Sequence, residues 1–391
     1  LIFQSGKMSH IPVVLTQICF ICSHPLPSHH LAEFAIQLEK NEQVKTEFFA
    51  SGAEFEILKN YKVKLHSFTP PDTLTEEQAE ALAEDLVKKC SAAKYVVTDV
   101  GHPFSARIQR LFAQKAPHVI RVAYYENPEA YVPGGYSNCA QKVAQYAQKF
   151  LFANAHLATH PIYAAAGQQK EISLKSKQCI GLGFSTLPRQ VAQMKDRRKN
   201  ERLDKRKACL TQNGVKEKEP KILVYFGGAN TEYFEKAFPH FLKLVTEAAK
   251  AGELPNTTIV LQQHPRAKKE GNVDANAFKR CAEALGELAP TMIVSDLSFD
   301  DAVCIADVAL YYQTTGNALF RLSGVPTIQV AHERYPDILV RTGICDSVSS
   351  RQEFIRALEK ASKSPLSNEA DRIYDELGIK VDWAQVLIQS F

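Results

Sequence analysis

The sequence predicts an α/β chain built as two doubly wound domains in tandem, on three observations. Short apolar runs bounded by turn residues alternate with helical periodicity from Val13 to Gly181, and the same alternation restarts at Lys221. Between them, from about Arg189 to Pro220, the apolar pattern lapses and charge takes over. At 391 residues the chain is too long for one typical core. The expected boundaries are an N-terminal domain over 8–188, a charged linker over 189–220, a C-terminal domain over 221–365 and a helical segment over 366–391.

Composition narrows the class. Hydrophobic residues make up 45% and charged residues 23%, ordinary for a soluble globular protein. No apolar run reaches the roughly 18 residues of a membrane span. Ile11–Cys22 is apolar but lacks a basic leader and a cleavage site, so it reads as a buried strand. Leu1–Lys7 reads as a protease-site and cloning remnant, with Met8 as the native start. The nine cysteines are scattered, and the close pair Cys19 and Cys22 has no second pair at zinc-finger spacing. Free thiols in a reducing, cytoplasmic setting are expected. The net charge of +4 is concentrated in Lys195–Lys207, with eight basic and three acidic residues and no aromatics. That pattern reads as a solvated, salt-bridged helix; contact with an acidic membrane surface is the lesser reading, and nucleic acid is not expected.

In the first half, strands are expected at Val13–Ile21, Thr46–Ala50, Val63–Phe68, Tyr95–Thr98 and Val119–Ala123, with further short ones near His156–Ala158 and Gln178–Gly181. Helices are expected over Leu31–Glu39, Glu54–Asn60, Leu74–Cys90 (capped by Thr73 or Thr75), His102–Lys115 and Ala140–Phe150. In the second half, strands are expected at Lys221–Phe226, Thr257–Gln262, Thr291–Val294, Val308–Tyr312 and after Gly324-Val325-Pro326. Helices are expected up to Ala251 and over Ala275–Leu285, Asp300–Ala306 and Ala318–Ser323, with Gln352–Phe391 largely helical. Such alternation implies parallel sheets, whose ligands bind beyond the C-terminal strand ends.

Three turns of the second half fall at those ends: Gly227-Gly228-Ala229-Asn230-Thr231, Gln263-His264-Pro265-Arg266 and Gln313-Thr314-Thr315-Gly316-Asn317. Together they supply glycine-permitted backbone approach, helix N-termini, an imidazole, a guanidinium and hydroxyls. That inventory suits a diphosphate.

The segments KILVYFGGANT, VLQQHPR and ADVALYYQTTGNALFRLSGVPTIQV, with THPIYAAAG and IGLGFSTLP before the charged stretch, resemble the GT-B glycosyltransferase fold. The turns also resemble those of bacterial sialyl- and capsule-type transferases and, more loosely, UDP-GlcNAc 2-epimerases. The resemblance implies two Rossmann-like domains facing a cleft, with a nucleotide-sugar donor on the C-terminal domain and an acceptor, unidentified, on the other. One departure stands out: the helix Ala318–Ser323 carries Arg321 and no acid, where many such enzymes place a ribose-binding Glu.

Sugar transfer needs a base for the acceptor hydroxyl and neutralisation of the departing phosphate. His102 and Asp99 are the first candidates for the base, followed by His24 and Glu126; all follow strands of the first half. His29 and His30 read as surface residues near a helix cap. The expected donor-binding set is Gly227, Gly228, Asn230, His264, Arg266, Gln313, Thr314, Thr315, Gly316 and Asn317. No Asp-x-Asp follows an apolar strand, so no metal or other cofactor is expected. A nucleotide-sugar 2-epimerase or hydrolase, or a catalytically silent binding protein on this fold, are the alternatives.

Overall fold

The computed structural model describes residues 15–132, 135–164, 170–215, 219–228, 230–264, 267–268, 271–333, 337–361, 369–379 and 382–391. The chain divides into two compact units, one of Leu1–Gly183 with Val381–Phe391 and the other of Phe184–Lys380. Among the described residues no helix is long and apolar enough to cross a membrane. All nine cysteines are free.

The sheet of the first unit contains β1 (Thr16–Cys22), β2 (Val44–Ala50), β3 (Leu65–Ser67), β4 (Tyr95–Asp99), β5 (Ile120–Tyr125), β6 (Lys149–Phe152) and β7 (Gln178–Gly181). Their order is β3-β2-β1-β4-β5-β6-β7, and every pairing is parallel. The sheet of the second unit contains β8 (Lys221–Phe226), β9 (Thr257–Gln262), β10 (Thr291–Val294), β11 (Val308–Tyr311), β12 (Thr327–Val330) and β13 (Asp346–Val348). Its order is β10-β9-β8-β11-β12-β13, again parallel throughout. Both units thus show the Rossmann-like doubly wound order, with the winding reversing beside β1 and beside β8.

Local chemistry accounts for the elements. The central strands are runs of Ile, Val, Leu, Phe and Tyr buried on both faces, as parallel strands between helix layers must be. The helix Glu76–Cys90 starts at Thr75, the second of the two caps considered. Thr75 Oγ1 accepts from Gln78 N, and the Gln78 side chain accepts from Thr75 N. Glu76 and Glu77 in its first turn and Lys88 and Lys89 in its last complement the helix dipole.

Three expectations need correction. Ala140–Phe150 is not one helix: the helix spans Gly135–Ala144, and Lys149–Phe152 is β6. The alanine-rich run hides the strand, because a short apolar segment fits either periodicity. His156–Ala158 is not a strand but part of a 3₁₀ turn, Ala155–Ala158, opened by Asn154, whose Oδ1 accepts from His156 N. The stretch 189–220 is no linker, since helices Leu187–Asn200 and Arg202–Gln212 belong to the second unit.

Its arginines explain why. Arg198 donates to the carbonyls of Val303, Cys304 and Ala306 at 2.8, 2.9 and 3.0 Å, satisfying the C-terminal end of helix Phe299–Ile305. Arg202 and Arg206 both pair with Asp307, whose Oδ2 also accepts from Ile222 N at 2.7 Å. Lys195, Lys199 and Lys207 face solvent, whereas Arg198, Arg202 and Arg206 pack against the helix Phe299–Ile305 and Asp307.

The segment 366–391 is likewise divided. Helix Glu369–Glu376 stays with the second unit, while helix Trp383–Ser390 completes the first. Trp383 packs on Phe34 at 5.6 Å between ring centroids, and Phe391 packs on Tyr95 at 5.0 Å. Tyr95 Oη and Lys149 Nζ donate to the main-chain oxygens of Phe391 and Ser390 at 2.9 and 2.7 Å.

Replacing Arg198 by Ala strands three carbonyls and is expected to cost roughly 2–4 kcal/mol. Exposed Lys199→Ala stays within about 0.5 kcal/mol. Denaturant midpoints of the two variants check this; equal midpoints would restore the linker reading.

Candidate functional site

In the second unit the reversal of winding lies between β8 and β11, the place where ligands of doubly wound sheets bind. Gly227 and Gly228 open the loop after β8. A Cβ on Gly227 would lie 2.8 Å from Tyr233 Oη, and one on Gly228 would lie 2.9 Å from Tyr233 Cγ. Tyr233 is thus the reason for both glycines. Its hydroxyl donates to Asp274 Oδ2 at 3.1 Å, and Asp274, fully buried, also accepts from Gln263 Nε2 at 2.7 Å.

Asn230 ties the two loops together. Its Oδ1 accepts from Tyr233 N at 2.7 Å, and its Nδ2 approaches Gln313 Oε1 at 3.4 Å. Gln313 Nε2 is shielded from solvent and makes no hydrogen bond among the described residues, leaving one amide donor unused in the loop after β11. Thr314 Oγ1 accepts from Gly316 N at 3.1 Å, and Thr315 stands half-buried beside it. A Cβ on Gly316 would meet Phe299 Cζ at 2.9 Å.

Asn317 faces the interior. It is 2% exposed, its Nδ2 donates to Asp337 Oδ2 at 2.8 Å, and its Oδ1 accepts from Ala318 N. Asp337 also accepts from Tyr311 Oη at 2.6 Å and caps helix Ile338–Arg341 through Leu339 N and Val340 N. Burial raises the Asp337 carboxyl above the usual range, while the Tyr311 hydrogen bond pulls the other way. The Asn317–Asp337 pair fixes the turn. His264 is exposed at the end of β9. Ala229, Pro265 and Arg266 lie outside the described residues. Arg321 is buried in the short helix Asn317–Leu322.

The first unit has its own cluster at the ends of β1, β4 and β5. Asp99 is fully buried and saturated: Oδ2 accepts from Ser23 N and Ser23 Oγ at 2.8 and 3.1 Å, and Oδ1 accepts from Ser105 Oγ at 2.9 Å. Its bonds hold the two loops together, which is a structural office. His102 is the N-cap of helix Pro103–Lys115: Nδ1 accepts from Phe104 N at 3.1 Å, so Nε2 carries the proton toward Asp72 Oδ1 at 2.8 Å. His24 precedes helix Pro25–Leu38, its ring beside Gly101, where a Cβ would lie 3.6 Å from His24 Cδ2. His29 bonds Tyr61 Oη at 3.0 Å. His30 is not a surface residue. It is buried against Tyr124 Oη at 2.6 Å, and burial, with His29 nearby, lowers it to about 3, so it stays neutral.

Glu126 is the group whose chemistry is tuned. It is 2% exposed, and its Oε2 accepts from Tyr136 Oη at 2.6 Å. Burial raises its carboxyl to about 8; the Tyr136 hydrogen bond restrains the rise and Asp99 adds to it. Such a group exchanges a proton near neutrality. The sequence placed Glu126 last among the base candidates. Nothing linear announced Tyr136, which reaches back from the helix Gly135–Ala144.

The chain matches no protein-family model, and no curated protein matches it. Solved structures do. UDP-GlcNAc 2-epimerase from Neisseria meningitidis bound to UDP-GlcNAc superposes with a TM-score of 0.64 at 11% identity, covering 96% of this chain and 99% of that one. The chain has the GT-B fold. Two further proteins share it. A glycosyltransferase from Rickettsia africae gives 0.59 at 9% identity, over 96% of both chains. Anabaena HepE in complex with UDP gives 0.57 at 12% identity, over 96% of this chain and 98% of that one. These identities establish the GT-B architecture and leave the chemistry to the residues.

The raised Glu126 carboxyl links to stability with a definite sign. Its unfolded value near 4.5 lies below the folded value of about 8, so the folded state holds the extra proton between them. The contribution of Glu126 to stability is therefore full below about pH 4.5 and is lost as pH rises to 8. Glu126→Gln removes that decline and gains roughly 1–3 kcal/mol relative to the parent between pH 5 and pH 8. Denaturation midpoints at the two pH values test it; parallel shifts in parent and variant would refute it.

Proposed function

We propose that the chain is an enzyme acting on a nucleotide sugar, and that it transfers the sugar to an acceptor hydroxyl. The observation that carries this is the pairing of Asn230 with Gln313 across the reversal of winding, beside Thr314, Thr315 and two glycines. Polar donors brought together at a switch point favour a phosphate-bearing ligand. That solved neighbours hold UDP-GlcNAc and UDP supports a nucleoside diphosphate as the ligand class.

In this reading the second unit binds the donor diphosphate through the Gln313 amide and the Thr314 and Thr315 hydroxyls. Glu126 is assigned as the base: its carboxylate takes the acceptor proton while the acceptor oxygen bonds to the sugar carbon. The bond from that carbon to the phosphate oxygen breaks, and the nucleoside diphosphate leaves with the electron pair. Tyr136 donates to Glu126 Oε2 and so favours its ionised form. One observation also favours epimerisation of the sugar: a buried carboxyl raised to about 8 suits proton removal from carbon.

A thermal-shift screen of UDP-, GDP-, CDP- and CMP-sugars with their free nucleotides tests the ligand. One nucleotide family is expected to stabilise the protein, by about 2.7 kcal/mol at a hundred times its Kd. Gln313→Leu should weaken that ligand about tenfold, the loss of one hydrogen bond to a charged group. Stabilisation by none of them would leave a silent binding protein. Glu126→Gln should leave nucleotide affinity within about twofold and reduce turnover about 10²–10⁴-fold. Incubation in D₂O separates the chemistries: deuterium entering the sugar ring means epimerisation, and its absence with nucleotide release means transfer.

A further inference from the structure

We propose that the second unit holds a divalent transition-metal ion on Glu232, His332 and Glu333. Glu232 lies just past the glycine loop after β8, and His332 and Glu333 follow β12, so the ligands come from either side of β11. One ligand atom from each of the three residues falls within 4.8 Å of the others. Donors around one ion at bond lengths of about 2.0–2.2 Å stand roughly 3–4.5 Å apart, so small side-chain adjustments close the set.

A second observation points the same way. Both ring nitrogens of His332 are shielded from solvent and make no hydrogen bond among the described residues, although the imidazole lies 3.5 Å from Glu232 Oε1. An ion between the imidazole and the Glu232 carboxylate would give a ring nitrogen the short polar bond that this 3.5 Å approach does not make. Tyr312 Oη donates to Glu232 Oε1 at 3.1 Å, which orients the carboxylate as outer partners of metal ligands do. Tyr312 also packs against the His332 ring, with centroids 5.2 Å apart. One imidazole and two carboxylates form a nitrogen–oxygen set suited to Zn²⁺ or Mn²⁺, with coordination positions left for water or an anionic ligand.

The Asp-x-Asp pattern that would announce such a site in sequence is absent, because strand adjacency and not linear spacing assembles these ligands. The proposal stands without the nucleotide reading, since the ion is tested alone.

The experiment is calorimetric titration of Zn²⁺ into the metal-free full chain at pH 7.5, with no nucleotide, alongside electron paramagnetic resonance of Mn²⁺. One ion per chain with a micromolar or tighter Kd is expected. His332→Ala and Glu232→Gln should each weaken it at least tenfold. Glu333 is exposed, so Glu333→Gln should weaken binding severalfold with an unchanged melting temperature. That variant keeps the test valid should His332→Ala misfold. Binding absent in the parent, or equal in parent and Glu333→Gln, overturns the proposal; equality would mean an ion held at other histidines or cysteines.

Discussion

Parallel strands cannot be joined by a tight hairpin, so each pair here requires a crossover along the face of the sheet. That constraint sends every strand of a sheet toward the same edge and collects the loops that follow them there. Where the winding changes direction, the loops turn away from each other, and a concavity results from topology before any side chain is chosen. Gly227, Asn230, Gln313 and His332 in one unit, and Ser23, Asp99 and Glu126 in the other, owe their grouping to this rule.

Buried carboxylates then make those loops rigid. Asp99, Asp274 and Asp337 are each 3% exposed or less, and each accepts from donors on at least two segments. A buried carboxylate without partners would be costly, so each holds its loops to a single arrangement. Glu126 is the contrast. It has one side-chain donor, Tyr136, and burial, only partly offset by that hydrogen bond, raises its carboxyl to about 8.

Much of the fold was legible because the signals were local. The runs KILVYF and TTIVLQ coincide with β8 and β9, since apolar, β-branched segments between turn residues leave little alternative. The strand Lys149–Phe152 was masked by the alanine-rich helix before it. The two arginine-rich helices were misread because charge was taken to mean solvent, whereas Arg198 and Arg206 serve carbonyls and Asp307. At the site, the turns were legible and their partners were not. Tyr233 against the glycines, Asp337 beneath Asn317 and Glu232 beside His332 are juxtapositions made by tertiary structure.

The first unit is closed by a helix from the far end of the chain, with Trp383 on Phe34 and Phe391 on Tyr95. In the sequence, the whole second unit intervenes between the body of the first unit and that helix. The residues that cover Phe34 and Tyr95 are therefore translated only after the whole second unit has been made. The packing of the first unit thus depends on a segment separated from it in sequence by its entire neighbour.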